Sequence, residues 1–207
     1  LYDYVTVFFP AVFQEYWFFT VYAVIILLCP YINLFLEKGG REAHRDLLVV
    51  MFFLWVLIPT FTLQSIFGSS LIQMLFYYIV GAYFRLYPEY TLKNKRIIIG
   101  YTIAGFALLF TSTFMLDYLG ESIDLFRDKG DMFYTKESLL IVMSAIGMFS
   151  YFVKMKPFSN RSIDKVAACM FGVYLIHDNP AVRDILWLRI FRHAEYFDSD
   201  YLIANIV

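Results

Sequence analysis

Charged residues are scarce in this chain. Asp, Glu, Lys and Arg make up 17% of its 207 residues, against about 25% in an ordinary soluble domain, so there is too little polar surface to cover a water-soluble globule. The charges nearly cancel, with 18 acids against 17 bases, and nothing in that balance points to nucleic acid or another polyionic partner. Cysteine is nearly absent. Cys29 and Cys169 fall inside apolar runs far apart and read as small buried residues, not as a disulfide or a metal site. No metal-ligand cluster, phosphate-binding loop, dinucleotide-binding glycine motif or Ser-His-Asp order stands out, and no metal is expected. Residues 1–15 have no initiator Met and no basic leader region. With a last apolar run that starts at Tyr201 and stops at Val207, the chain reads as truncated at both ends. There is no internal repeat, low-complexity tract or separate soluble domain, so residues 1–207 read as one domain.

What fills the chain is apolar: 60% hydrophobic residues, 21% aromatic, and a mean hydropathy of +0.62. A membrane-spanning helix needs about 20 predominantly apolar residues. Runs at 16–36, 47–63, 66–84 and 97–116 meet that length, while 138–153 and 163–176 are shorter. Lys165 can extend the last of these by reaching back to the interface. The runs are continuous and do not alternate in polarity, which favours helices over a barrel. The expectation is an all-α polytopic transmembrane bundle with about six complete spans of about 20 residues and the start of a seventh. Pro30 and Pro59 should kink their spans. Tyr16, Trp17, Tyr83 and Tyr87 sit near span ends, as an interfacial aromatic belt requires.

Loop charges give an orientation. The loops 37–46, 85–96 and 154–165 hold 11 of the 17 Lys and Arg residues, whereas 117–137 carries Asp117, Glu121, Asp124, Asp128, Asp131 and Glu137. The three basic loops are therefore placed in the cytoplasm. Their cations serve that topology first; attraction to anionic lipid heads and binding of a phosphorylated ligand are the other uses of such charge.

Polar groups within spans are few: Asn33, Gln73, Thr111, Ser112, Thr113 and, at the end of the sixth run, His177 and Asp178. In membrane helices such groups mostly bond across helices or to their own backbone, and Asn33 and Gln73 are read that way first. Gly81, Gly100, Gly105 and Gly172 are expected at close helix contacts. His177 stands alone at a span end, with His44 and His193 in loops. It can serve as a base or cap its own helix. Asp178 beside it points in another direction on a helix and makes a poor dyad partner.

Three stretches resemble the acyltransferase-3 family of integral membrane acyltransferases: Tyr16-Trp17-Phe18-Phe19-Thr20-Val21-Tyr22 through Cys29-Pro30-Tyr31-Ile32-Asn33; Phe76 to Arg85, with Gly81 and Tyr83; and Phe171-Gly172-Val173-Tyr174-Leu175-Ile176-His177-Asp178-Asn179-Pro180, followed by Val182-Arg183. The resemblance spans the whole chain. It implies a bacterial plasma-membrane enzyme with about ten spans of about 20 residues each when intact. It further implies transfer of an acyl group, often acetyl from acetyl-CoA, to a hydroxyl of a carbohydrate such as an exopolysaccharide. The family's catalytic signature, an Arg or Lys followed about three helical turns later by a His, belongs to a first helix that this stretch does not include, so the catalytic residues are not identified and the stretch alone is expected to be inactive. By the same resemblance, Arg85, Lys93, Lys95 and Arg96 are candidates for holding the coenzyme's phosphates. Trp17, Tyr22, Asn33 and Asp178 are candidates for substrate binding, and His177 for supporting the acceptor. The alternative from another class is a glycan or lipid exporter, which would also be polytopic and kinked at prolines; internal repeats and midplane charges would mark it, and neither is seen.

Overall fold

Apolar runs rich in Val, Ile, Phe and Tyr would suit strands in water, but in lipid each backbone group must be satisfied within its own segment, and helix is the outcome. The computed structural model describes residues 16–62, 70–127, 129–179, 182–183 and 185–191, and every regular element among them is helical, with no strand. The principal helices are α1 (Trp17–Phe52), α2 (Ile58–Thr62), α3 (Ser70–Leu86), α4 (Lys95–Ser122), α5 (Leu139–Val153) and α6 (Arg161–His177). Short 3-10 turns lie at Pro88–Tyr90 and Asp124–Phe126, and π-helical segments at Phe53–Leu57 and Ile185–Ile190. The stretches Trp17–Thr62 and Lys95–Ser122 are long and apolar enough to cross a membrane; α3 and α5 are shorter apolar helices. At 15 residues, α5 is about 22 Å long, less than the bilayer's hydrocarbon thickness of about 30 Å. The expected run at Tyr201, His193 and residues 63–69 of the second and third runs lie outside the described residues.

The expected loop 37–46 is a correction. α1 runs through it, broken only at Gly40, whose φ of 69° and ψ of −178° are non-helical. That combination is essentially open to glycine alone, so one residue does the work of a loop and Arg41 already begins the following arm. His44 consequently lies on a helix, not in a loop. The other basic loops are shorter than expected for a similar reason: Asn94 and Asn160 cap α4 and α6, which places Lys95, Arg96, Arg161 and Lys165 on helices. Pro30 stays within helical φ/ψ, whereas Pro59 follows a π-helical turn, where the missing proline N–H is accommodated by a shifted hydrogen-bond register.

By contacts the chain divides into two compact units, Leu1–Ala23 with Pro157–Val207, and Val24–Lys156. The second unit is centred on Leu36, Met51, Val56, Phe76, Ile79, Val80 and Val142. Its tightest seam joins α4 and α5. A Cβ on Gly105 would meet Ser144 Oγ at 2.6 Å, and one on Gly147 would meet Thr102 Cβ at 3.1 Å and its Cα at 3.2 Å. The pairing is reciprocal, small residue against hydroxyl residue in both directions. Thr102 and Ser144 satisfy their hydroxyls on the carbonyls of Ile98 and Leu140, each at 2.8 Å. Gly105 thus meets its expectation, while Gly100 and Gly172 have nothing within 4 Å of the Cβ position; both are on exposed helix faces.

Candidate functional site

Contacts define two opposite ends of the second unit. At one, Gln73 Nε2 donates to the Lys136 carbonyl at 2.5 Å, Lys136 Nζ donates to Ser70 Oγ at 3.1 Å, and the Leu139 N–H donates to Thr60 Oγ1 at 2.8 Å. At the other, the arm of α1 after Gly40 meets the end of α3 and the segment 87–94, and the end of α5 meets that same segment. Here the Arg41 guanidinium lies 4.1 Å over the Tyr90 ring. Lys154 Nζ donates to Thr91 Oγ1 at 3.0 Å, and Thr91 Oγ1 donates to the Pro88 carbonyl at 2.8 Å. The 3-10 turn Pro88–Tyr90 and the residue after it are thus held by side chains of α1 and of the end of α5.

This second end gathers the cations. Arg85 is in the last turn of α3, where a positive charge suits the helix dipole. Lys95 and Arg96 occupy the first turn of α4, where it does not; that turn has no acid, and Asn94 Oδ1 accepts from the Arg96 N–H at 3.0 Å. Arg85, Lys93, Lys95 and Arg96 are all exposed, and none forms an ion pair among the described residues. Arg45 is different: it pairs with Asp46 at 2.8 Å. Arg45 is also the charged member of an apolar cavity of about 380 Å³, lined by Leu48, Phe52, Val80, Tyr83 and Phe84 among others.

Asn33 joins this neighbourhood through α3. Tyr78 Oη donates to Asn33 Oδ1 at 2.8 Å. Asn33 is therefore tied to the helix whose last turn carries Arg85.

Trp17, Tyr22, His177 and Asp178 belong to the first unit. Trp17 and Tyr22 are each about half exposed, and both rings pack on Phe18, edge-on and stacked respectively. Tyr174 packs on Tyr16 and Phe18, and Asn179 Nδ2 donates to Tyr16 Oη at 2.9 Å. His177 Nδ1 donates to the Val173 carbonyl at 3.0 Å. That bond fixes the ring on its own helix and leaves the Nε2 lone pair facing outward. Asp178 caps α6, and its carboxylate is a near neighbour of Tyr174 Oη, both in buried positions.

His44 is the residue that the sequence reading passed over. It is 1% exposed, its Nε2 is 3.0 Å from the Ile79 carbonyl, and its ring stands edge-on to Tyr83 and Tyr87. The available signal was the Gly39-Gly40 pair, which can end a helix and start another, with Arg41 and His44 three residues apart on the new one.

A family model described as an acyltransferase domain matches residues 1–201. No curated protein and no solved structure matches the chain.

Proposed function

The chain belongs to the acyltransferase-3 family, and we propose that it takes an acyl group, acetyl in the first instance, from acyl-CoA and places it on a hydroxyl of a bacterial cell-surface glycan. The observation that carries this reading is the set of exposed cations at one end of the second unit, which form no ion pair among the described residues. Lys95 and Arg96 crowd a helix N-terminus with no acid in its first turn, and an anion is the group that relieves both the dipole and the mutual repulsion. Arg85 and Lys93 add to the same end. Charge-assisted bonds to phosphate suit these side chains, and coenzyme A is a polyphosphorylated ligand of the cytosol, where the positive-inside rule puts this end in the plasma membrane.

In the reaction the acceptor hydroxyl oxygen attacks the thioester carbonyl. The C–O bond forms, the C–S bond breaks, the sulfur leaves as coenzyme A thiolate, and a base takes the hydroxyl proton. Donors near the carbonyl stabilise the oxyanion in between. On this reading Trp17, Tyr22 and Asp178 contact the acceptor, since aromatic faces and a carboxylate match the C–H faces and hydroxyls of a sugar. His177, with its Nε2 free, supports the acceptor, and Asn33, which accepts from Tyr78, contacts the acceptor or the donor.

The test is kinetic. In the full-length protein, replacing Arg85, Lys93, Lys95 and Arg96 together with Ala should raise the apparent KM for acyl-CoA by about tenfold or more. An unchanged KM rejects the donor role.

A further inference from the structure

His44 has no part in the chemistry just described, yet it is among the most completely buried side chains of the second unit. A carbonyl can only accept, so the 3.0 Å contact with Ile79 makes Nε2 the protonated nitrogen. Nδ1 then carries a lone pair, and it is buried with no partner among the described residues. An apolar side chain would fill the space without that penalty, so what the imidazole contributes is the bond to α3 and its contact with two rings. Tyr83 stands 5.1 Å away at 86° and Tyr87 5.8 Å away at 72°. Those two rings pack on each other at 5.2 Å.

The contacts continue outward. Arg41, three residues before His44 and on the same helix face, lies over Tyr90. Two residues of α1 therefore grip three tyrosines that follow one another through the end of α3 and the 3-10 turn. Past Tyr90 come Lys93, Lys95 and Arg96. The direction in which the chain leaves α3 is set on one side by this ladder and on the other by Lys154 on Thr91.

We propose that His44 is a positioning residue for the donor site: by fixing α3 to the arm of α1 that Gly40 starts, it holds the basic stretch 93–96 where the phosphates of acyl-CoA are bound. The inference rests on the proposed donor role of that stretch. It acts on binding, not on the reacting atoms, so loss of His44 moves the donor KM and spares kcat.

The experiment compares His44→Ala, His44→Gln and His44→Phe in the full-length protein, with acetyl-CoA as donor. His44→Ala should raise the donor KM about tenfold while kcat and the acceptor KM change by less than about twofold. His44→Gln, which keeps a donor for the Ile79 carbonyl, should recover part of the loss, and His44→Phe, which keeps only a ring, should recover less. If His44→Ala does not accumulate in folded form, Tyr90→Leu replaces it: this removes the Arg41 stack, leaves His44 in place and should raise the donor KM in the same direction. A donor KM untouched by the variant used, or a fall in kcat equal to the fall in kcat/KM, overturns the inference. Failure of the underlying reading looks different, because the donor KM would then be indifferent to the four cations themselves.

Discussion

Tyr78 donates its hydroxyl to Asn33 Oδ1 across 2.8 Å, tying α3 to the arm of α1 that precedes Gly40. Hydrogen bonds between membrane helices contribute about 0.6 kcal/mol on average and rarely more than about 1.7, so Tyr78→Phe should lower stability by about 1 kcal/mol. A thermal unfolding series on the detergent-solubilised full-length protein measures this. Asn33→Leu should lose the same bond and, if the proposed substrate contact of Asn33 holds, lower activity more than Tyr78→Phe does. Equal activity in the two variants would reduce Asn33 to a helix-pairing residue.

Gly40 holds a backbone conformation that a Cβ disfavours, although nothing lies within 4 Å of the added atom. Gly40→Ala therefore isolates backbone strain from crowding. The cost should be about 1–3 kcal/mol, read as a lower unfolding temperature in detergent. A neutral result would mean that the two arms of α1 are joined in some other conformation.

The α4–α5 seam makes a paired prediction. Gly147→Ala pushes a methyl into the Thr102 Cα, a backbone atom that cannot rotate away, and overpacking of this kind costs about 1–3 kcal/mol. Gly100→Ala, with open space around it, should change stability by less than about 0.5 kcal/mol. Thermal midpoints for the two variants, side by side, decide whether the seam is as close as described.

Binding of the donor by exposed, unpaired cations should be sensitive to salt. The screening length falls from about 10 Å at 0.1 M to about 3 Å at 1 M, so the apparent KM for acyl-CoA should rise as salt is added. The acceptor KM should stay nearly flat. Initial rates at several salt concentrations give both.

The helical class and most helix positions were legible because long apolar runs in lipid leave the backbone few choices. Boundaries were less so. Residues 37–46 read as a loop from their charges, but glycine's tolerance of positive φ compressed the break to Gly40, and the charged residues on either side stayed helical. Close-contact glycines were half legible: Gly105 and Gly100 look alike in sequence, and only the facing Ser144 distinguishes them. His44 was invisible for a related reason. A histidine next to Arg45 and Asp46 looks solvated, and its burial depends on Ile79, Tyr83 and Tyr87, more than 30 residues away. That Arg85, Lys93, Lys95 and Arg96 lie at one end of the unit was legible because three of them follow shortly after Arg85, in the last turn of α3; their part in holding a donor belongs to the proposal.

The most direct measurement follows label from acetyl-labelled coenzyme A in membranes carrying the full-length protein, supplied with the cell's own surface glycan. The account predicts label on the carbohydrate as a base-labile ester, formed only with the active protein and reduced when Arg85, Lys93, Lys95 and Arg96 are replaced. Carbohydrate that stays unlabelled while the folded protein and acetyl-CoA are both present would contradict it.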